Sequence, residues 1–408
     1  MLNWTKRFNI FCLLDNQEYT IQPQHYELVL GAGVKKEVYA NSVAALSALE
    51  KQEGWYLGHL SYELHNQLAP MAPAKKDLNG FPQAYFFVPE VLLLVRGGQL
   101  QVIADDAASV YEEIMQQPEF EEQPQAPVAI QQRLSREEYL AAIAQLQKHI
   151  QAGDCYEINF CQEFFATGVK VHPLSIFSRL TALSPSPFSA LYRCNDSWLV
   201  CASPERFLAR QGGSLCSQPM KGTIRRDHNN STKDEQLKTT LHQSSKDRSE
   251  NVMVVDLVRN DLSRICKEAS VKVEELFGVY TFPQVHQMIS TVCGELKPDI
   301  SFAEIMRACF PMGSMTGAPK HRVMQLIQQY ETSARGIFSG SVGYISPQGD
   351  FDFNVVIRSI MYNAATGYLS YQAGSGITIY SNPEEEWEEC LLKAEAIKKV
   401  LAGGPALT

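Results

Sequence analysis

The sequence predicts an α+β protein, and three observations support this. Between residues 188 and 220, short apolar runs alternate with Asn-Asp and Gly-Gly turn signals, which is typical of antiparallel strands. Segments 135–153, 247–265 and 383–400 carry apolar residues at helical spacing. Strands and helices follow one another in mixed order without a repeat of solenoid length, which favours sheets covered by helices.

Length and composition restrict the function classes. A chain of 408 residues exceeds the usual size of one core, so two lobes or one large layered domain are expected. The formal net charge of −9 argues against a nucleic-acid binder, and no apolar run is long enough to cross a bilayer. The ten cysteines lack a CxxC pair, so we expect reduced thiols. The apolar run near the N-terminus, residues 8–14, is too short for a convincing signal peptide, so we expect none and a cytoplasmic protein.

The chain divides at an acidic, proline-rich stretch, residues 118–127, which predicts a linker or exposed loop. We therefore expect an N-terminal subdomain, 1–125, and a larger domain, 130–405. The first contains no cluster of catalytic type. Its predicted strands are 26–30, 55–62, 85–88 and 91–95. Its predicted helices are 42–52 and 108–116.

In the larger domain, helix starts have clear local signals. Ser135 and Ser301 each precede a glutamate by three residues, which is the capping-box pattern. A strand is expected over 156–165, and a glycine-rich loop at 313–319 leads into a helix. Pro383 suits the first position of a final helix over 383–400.

Lys221 lies between a strand-like run and a Gly-Thr turn. A free lysine has a pKa near 10.4, so a nucleophilic lysine must be desolvated or placed beside other cations. Arg225 and Arg226 could supply those cations. Without further information, a solvated surface lysine is the commoner interpretation.

The final helix carries a stripe of charge. Glu386, Glu389 and Lys393 lie at i, i+3 and i+7, within about 60° of arc on a helix. Two carboxylates on one stripe suit a hard cation such as Mg²⁺, and the lysine can meet an anion that the metal also binds. The alternative is a solvated acidic first turn favoured by the helix dipole. Glu250, at the start of another helix, is a second candidate ligand with the same alternative.

Other motifs are weaker. Loop 313–320 fails as a phosphate loop because Ala-Pro separates its glycine from Lys320. The Gly374-Ser375-Gly376 motif is uninformative alone. His286 could act as an acid or base, although a lone histidine is more often structural.

Taken together, the motifs resemble one family, the chorismate-utilising enzymes. The resemblance covers residues 135 to 401, and many motifs occur in the family's order. They are GDCYEIN (153–159), SPERF (203–207), PMKGT (219–223), DRSE (247–250), VDLVRND (255–261), 310–320, 352–358, GSG (374–376) and 382–393.

This resemblance implies an anthranilate synthase component I-like fold: α+β, with two antiparallel β-sheets packed together and helices on the outside. Residues 130–405 would be the chorismate-binding catalytic domain. Family members similar to aminodeoxychorismate synthase carry lysine at the position of Lys221, whereas anthranilate synthases carry alanine. The implied activity is component I of aminodeoxychorismate synthase, a folate-pathway enzyme.

In the implied mechanism, Lys221 adds covalently to the chorismate ring as the 4-hydroxyl leaves, and ammonia then displaces the lysine to give 4-amino-4-deoxychorismate. Glu205 matches the proton donor to the leaving hydroxyl, and His286 matches a histidine near the ring. Mg²⁺ would sit between Glu250 and Glu389 with Glu386 nearby. The residues that match substrate-contacting positions are Gly222, Thr223, Thr316, Arg358, Gly374, Gly376 and Lys393.

The implied partners are chorismate, ammonia and a glutamine amidotransferase subunit, with neither nucleic acid nor membrane. Two alternatives remain. One is anthranilate synthase component I or another chorismate-converting enzyme, against which Lys221 argues. The other is an inert regulatory subunit of the same fold, which retention of Lys221, Glu205, Glu250 and Glu389 disfavours. Residues 13–15 and 185–189 resemble the family's tryptophan pocket, without indicating whether tryptophan binds.

Overall fold

The structure, a computed structural model, describes residues 1–23, 26–42, 44–49, 54–67 and 75–403. Most predicted elements occur within two or three residues of their expected bounds. The helix expected over 42–52 is a 3₁₀ helix at Ala44–Leu49. The remainder of that prediction, at 43 and 50–52, lies outside the described residues.

The strands in the first half of the chain are β1 (Ile10–Asp15), β2 (Leu28–Ala32), β3 (Lys36–Tyr39), β4 (Tyr56–Leu60), β5 (Ala84–Val88), β6 (Val91–Arg96), β7 (Gln99–Ile103), β8 (Gln131–Gln132), β9 (Glu157–Ala166) and β10 (Phe188–Cys194). Those that follow are β11 (Ser197–Ser203), β12 (Arg206–Gln211), β13 (Ser214–Gln218), β14 (Met220–Arg225), β15 (Lys272–Thr281), β16 (Val285–Glu295), β17 (Gly317–Ala318), β18 (Ser341–Ile345), β19 (Phe351–Asn354), β20 (Ser359–Asn363) and β21 (Tyr368–Ile377).

These strands form two sheets in which the recorded pairings are antiparallel. The first sheet has the order β17-β9-β21-β20-β11-β10-β1-β2-β6-β7, with β8 also beside β9. The second has the order β14-β16-β13-β12-β19-β18-β4-β5-β3, with β15 also beside β16. The expectation of an α+β fold with two antiparallel sheets is therefore confirmed.

Strands from the first 125 residues complete both sheets. In the first sheet β1 pairs with β10, which brings Asp15 opposite Ser189. In the second sheet β4 pairs with β18, which brings Leu60 opposite Ser341. Both sheets thus cross the expected boundary near residue 125, and the division into 1–125 and 130–405 stays a prediction.

The α-helices are α1 (Leu2–Thr5), α2 (Ala107–Met115), α3 (Arg136–Gln151), α4 (Pro173–Leu183), α5 (Ser231–Gln243), α6 (Ser245–Ile265), α7 (Phe302–Cys309), α8 (Lys320–Tyr330), α9 (Pro383–Lys393) and α10 (Glu395–Leu401). The two predicted capping boxes, at Ser135 and Ser301, are both confirmed. Each serine accepts from the backbone N–H three residues on, so orphan amides at the helix start are satisfied.

The prediction of a single helix over 383–400 is wrong. The helix ends at Lys393, and Ala394 adopts φ −91° and ψ −3° before α10 begins. The carbonyl of Lys393 accepts a hydrogen bond from Arg358 Nη1 at 3.2 Å instead of continuing the helical pattern. The helix thus ends where its carbonyl contacts a residue distant in sequence, between β19 and β20, and local sequence spacing could not indicate this contact.

Among the described residues, the two largest apolar cores lie on opposite faces of strands whose side chains alternate. In β1, Cys12 belongs to the core between the sheets, whereas Phe11 and Leu13 belong to the core under the helices. Successive side chains of a strand point to opposite faces, so one strand supplies both cores. In the second core, the ring of Tyr139 on α3 packs against that of Trp387 on α9 with centroids 5.3 Å apart.

One cysteine prediction is wrong. Cys216 on β13 lies directly opposite Cys293 on β16, with Cα atoms 4.1 Å apart, and the two form a disulfide. The other eight cysteines are free and buried, as expected of small core residues. The two bonded residues are 77 positions apart, so only strand register brings them together. Across the described ranges, no helix is both long and apolar enough to span a membrane.

Candidate active site

Lys221 and Glu157 meet where the two sheets approach each other. Lys221 lies on β14, an edge strand of the second sheet, and Glu157 begins β9 in the first. The Lys221 ammonium contacts Glu157 Oε1, and their side chains are 11% and 3% exposed. Gly376 on β21 makes this approach possible, because a Cβ atom there would collide with Lys221 Nζ. The surface alternative for Lys221 is therefore wrong.

Carboxylates determine the charge state of Lys221. Burial by itself lowers the pKa of this lysine, but Glu157, Glu250 and Glu389 outweigh burial and raise it above the ordinary value. A buried ammonium surrounded by anions stays protonated. The hypothesis that neighbouring arginines lower the pKa of Lys221 is thus wrong in direction.

Arg225 and Arg226 both have other partners. Arg225 is 65% exposed and pairs with Glu395 at 3.2 Å. Arg226 pairs with Asp234 on α5 at 2.8 Å. Each guanidinium is therefore neutralised elsewhere and contributes no cation to the lysine.

Glu205 is buried just before β12. Burial raises its pKa to about 7, although a hydrogen bond from Ser314, one from the backbone N–H of Met220, and the charges of Lys221 and Lys393 oppose the increase. A carboxyl with this pKa is partly protonated near neutral pH and can donate a proton. Ser314 belongs to loop 313–319, so that loop adjusts the acidity of Glu205.

Three further carboxylates lie on two helices near this site, and two of them, Glu250 and Glu389, act electrostatically on Lys221. Glu250 lies in the first part of α6, whereas Glu386 and Glu389 lie on α9. Glu386 is only 1% exposed, so the solvated-first-turn alternative does not hold for it. Glu384, on the same helix, does lie at the surface, where it pairs with Arg136.

Several carboxylate oxygens here are buried without a hydrogen-bond donor among the described residues. They are Glu157 Oε2, Glu250 Oε1 and Glu386 Oε1. Burial also raises the pKa of Glu250 to about 7, with Lys221 opposing the increase. A buried carboxylate oxygen that accepts no hydrogen bond is energetically costly, so the presence of three of them fits a cationic ligand. In the described ranges, no three acidic, histidine or cysteine side chains converge closely enough to enclose a metal by themselves. Mg²⁺ usually completes its coordination with water and substrate oxygens, so the residues fit that ion.

Glu389 and Lys393 form an ion pair on the outer side of the site. Their charged atoms are 2.7 Å apart, and this lysine lowers the pKa of Glu389 to about 2. Lys393 Nζ also donates to the carbonyl of Gly374 at 2.9 Å. The predicted helical stripe and the Gly374 motif therefore meet in space.

Arg358 is a partly buried cation. Its backbone has φ 52°, a left-handed conformation that is uncommon for arginine and that marks a constrained position. Burial lowers its pKa to about 10, against the effect of Glu389. Its guanidinium donates to the carbonyl of Lys393, and within the described chain it forms no ion pair. A partly buried guanidinium without an ion pair favours binding of a planar carboxylate.

Gly222 and Thr223 continue the strand from Lys221. Gly222 has φ 93°, and a Cβ atom there would lie 2.9 Å from Asp247 Cβ, so glycine lets β14 approach α6. The Thr223 hydroxyl accepts from Gln287 Nε2 at 2.8 Å. Gln287 is buried on β16 and thus holds the strand that bears the lysine.

Two predicted site residues are engaged outside the carboxylate–lysine cluster. The Thr316 hydroxyl donates within its own loop to the carbonyl of Met312 at 3.0 Å. Both ring nitrogens of His286 have partners at 3.0 Å, Thr281 Oγ1 and Asp234 Oδ1. The structure therefore gives both residues structural contacts.

Three residues that contact the site, Glu157, Ser314 and Gln287, are not among those predicted from the sequence. Glu157 lies within the GDCYEIN motif and is a charged residue at the start of a largely apolar strand, which is the only signal it offers. Ser314 and Gln287 are ordinary residue types in a loop and a strand. Their contacts with Glu205 and Thr223 depend on tertiary structure.

Comparison with known proteins gives a consistent result. The family model described as chorismate binding enzyme matches residues 6–399. Aminodeoxychorismate synthase component 1 of Salmonella typhimurium is 40% identical over 269 residues, which cover 66% of this chain and 58% of the relative. The chain thus spans under two thirds of that relative's length. Aminodeoxychorismate synthase component 1 of Bacillus subtilis is 31% identical over 366 residues, covering 86% and 77%.

A solved structure supports the fold. Anthranilate synthase component I from Streptococcus pneumoniae superimposes with a TM-score of 0.81 at 25% identity, covering 94% of this chain and 95% of that one. The expectation of an anthranilate synthase component I-like fold is confirmed.

Proposed function

The chain belongs to the chorismate binding enzyme family, and from that membership we propose that it is component I of an aminodeoxychorismate synthase. It would convert chorismate and ammonia to 4-amino-4-deoxychorismate, a precursor of 4-aminobenzoate and folate. Relatives named aminodeoxychorismate synthase component 1 align along most of the chain. The observation that carries the proposal is the burial of Lys221 among carboxylates beside Gly376.

Lys221 is the proposed nucleophile. Its Nζ atom would bond to the ring while the bond to the 4-hydroxyl breaks, and ammonia would later displace the lysine. A covalent intermediate divides one difficult substitution into two easier steps. The strand geometry supports this role, because β14 holds the lysine side chain against the first sheet instead of in solvent.

Glu205 is the proposed proton donor to the leaving hydroxyl. Its pKa of about 7 keeps much of the carboxyl protonated at neutral pH, so the hydroxyl can leave as water. Ser314 and the backbone N–H of Met220 then stabilise the carboxylate that remains.

Glu250, Glu386 and Glu389 are the residues that would hold Mg²⁺. When bound, the ion would neutralise these carboxylates and the ring carboxylate of chorismate, which would otherwise repel one another. Arg358 and Lys393 lie beside Glu389 and would bind carboxylate oxygens of the substrate. The remaining proposed contacts are Gly222, Thr223, Thr316, Gly374 and Gly376, with His286 as a proposed acid or base near the ring.

Ammonia would come from a glutamine amidotransferase partner, as the designation component 1 of the relatives suggests, in a cytoplasmic setting. The test is to incubate the purified chain with chorismate, Mg²⁺ and ammonium and to separate the products by chromatography. We expect aminodeoxychorismate. Release of anthranilate would support the anthranilate synthase alternative, and the absence of turnover would support the inert regulatory subunit.

A further inference from the structure

The nucleophile proposed above must lose a proton before it can react. An ammonium group has no free electron pair, and Glu157, Glu250 and Glu389 all favour the charged form of Lys221. The side chain is almost fully buried, which limits direct proton transfer to bulk water. A proton acceptor must therefore be present inside the site.

Glu157 is the carboxylate in direct contact with the Lys221 ammonium. We propose that Glu157 is the base that accepts the Nζ proton of Lys221 and so releases the amine for attack. This inference rests on the proposed function, because it concerns the same covalent step. It gives a catalytic role to a residue that the mechanism above leaves unused.

Charged groups reach Lys221 from several elements, and their other contacts favour Glu157 as the acceptor. Glu389 on α9 is already paired with Lys393 at 2.7 Å. Glu205 takes hydrogen bonds from Ser314 and a backbone amide. Glu250 forms no ion pair within 4 Å in the described chain, so it does not reach Lys221 Nζ, which Glu157 contacts directly. Lys246, from the start of α6, lies 3.6 Å from Glu386.

The environment of Glu157 suits proton acceptance. Its Oε2 atom is buried without a hydrogen-bond donor among the described residues. This oxygen therefore has a free lone pair to which the proton can bond. Gly376 leaves no side chain between the carboxylate and Nζ.

The N–H bond of Lys221 breaks, its proton bonds to Glu157, and the nitrogen electron pair forms the bond to the ring. Electrons shift through the conjugated double bond, and the C–O bond breaks while Glu205 supplies the proton that makes water. The adduct nitrogen is then a secondary ammonium. Attack by ammonia releases it as a neutral lysine, which recovers its proton from Glu157. The new C–NH3+ group loses a proton to Glu205, which restores the acid.

The experiment compares the wild-type chain with Glu157→Gln, an isosteric change that cannot accept the proton. Rapid-quench mass spectrometry would follow adduct formation from chorismate and Mg²⁺ without ammonium. We expect adduct formation at neutral pH to be slower than in the wild type on the order of a hundredfold, the usual scale of general base catalysis, and this difference from the wild type to shrink as pH rises. Chorismate affinity from titration calorimetry should remain measurable, which shows that the site is assembled.

Glu163→Gln is the matched control, because Glu163 lies on the same strand and is buried in an ion pair with Arg133 at 2.7 Å. Its adduct rate should equal that of the wild type. If Glu157 serves only as a fixed charge, its removal lowers the pKa of Lys221, and Glu157→Gln should react as fast as the wild type or faster. That result, or a slowing relative to the wild type that is the same at every pH, overturns the assignment of the base alone. Absence of any adduct in the wild-type chain overturns this inference and the proposed function together.

Discussion

Two buried ionic clusters in this chain differ in how completely their polar atoms are paired. Arg335 and Glu331 are buried, and the guanidinium donates to both oxygens of Glu331, at 2.6 and 2.9 Å. It also donates to the carbonyls of Met315 and Asn159 at 2.6 and 2.9 Å. Around Lys221, by contrast, oxygens of Glu157, Glu250 and Glu386 have no donor among the described residues.

The two clusters differ in what compensates the cost of burying their charges. A buried ion pair is tolerated when further hydrogen bonds satisfy both groups, as for Arg335. A buried cluster that stays incomplete imposes a cost that the fold alone does not compensate. The incomplete cluster is therefore the one expected to bind ligand, and the predictions below test that distinction.

The largest effect is expected at the lysine of the incomplete cluster. Lys221→Ala removes the proposed nucleophile, so the enzyme–substrate adduct should disappear completely in intact-protein mass spectrometry. Lys35→Ala, which removes an exposed lysine paired with Asp105, is the control and should retain the adduct. Persistence of the adduct in Lys221→Ala would show that another residue is the nucleophile.

In the cluster of Arg335 and Glu331, whose polar atoms are fully paired, substitution should mainly change the free energy of unfolding. Glu331→Gln leaves Arg335 buried without its anion and should lower the free energy of unfolding by about 3–5 kcal/mol. Urea unfolding followed by circular dichroism measures the change. A loss below about 1 kcal/mol would contradict the view that this pair is structural.

Proton donation by Glu205 should give a pH dependence. Its pKa is raised to about 7, so the carboxyl is protonated below that pH and ionised above it. The rate of adduct formation should therefore carry a component that declines as pH rises through about 7. Glu205→Gln should lose that component and slow the step about a hundredfold. Ser314→Ala removes a contact that lowers the pKa of Glu205, so it should move the decline to higher pH.

The Mg²⁺ requirement should change when a buried glutamate of α9 is replaced and stay the same when an exposed one is replaced. Glu386→Gln should raise the Mg²⁺ concentration needed for half-maximal activity at least about tenfold, because one negative ligand is lost. Glu384→Gln, two residues earlier on the same helix and at the surface, should leave that concentration unchanged. Equal Mg²⁺ requirements in the two variants would contradict the proposed site.

The smallest effect is expected at Arg225. Its pair with Glu395 is largely exposed, and such pairs contribute about 0–1 kcal/mol. Arg225→Ala should therefore leave both the unfolding free energy and the pH profile of adduct formation nearly unchanged. A shifted profile would restore the earlier hypothesis that this arginine influences Lys221.

Local patterns predicted much of the fold. Alternating apolar runs predicted most strands, and the serine–glutamate pairs at 135–138 and 301–304 predicted helix starts that the structure confirms. These signals depend on neighbours within a few residues. The break at Ala394 and the Cys216–Cys293 disulfide depend on distant segments, and both were predicted wrongly.

By itself, the sequence determined the fold class and identified Lys221, Glu205, Glu250, Glu386 and Glu389 as candidates, because residue types and motif order are written in the chain. Tertiary structure decided the electrostatics. Burial and strand pairing place Glu157, not Arg225 or Arg226, beside Lys221, and so reverse the expected direction of its pKa. Electrostatic energies depend on distance and solvent exposure, which residues acquire only when separate strands and helices meet.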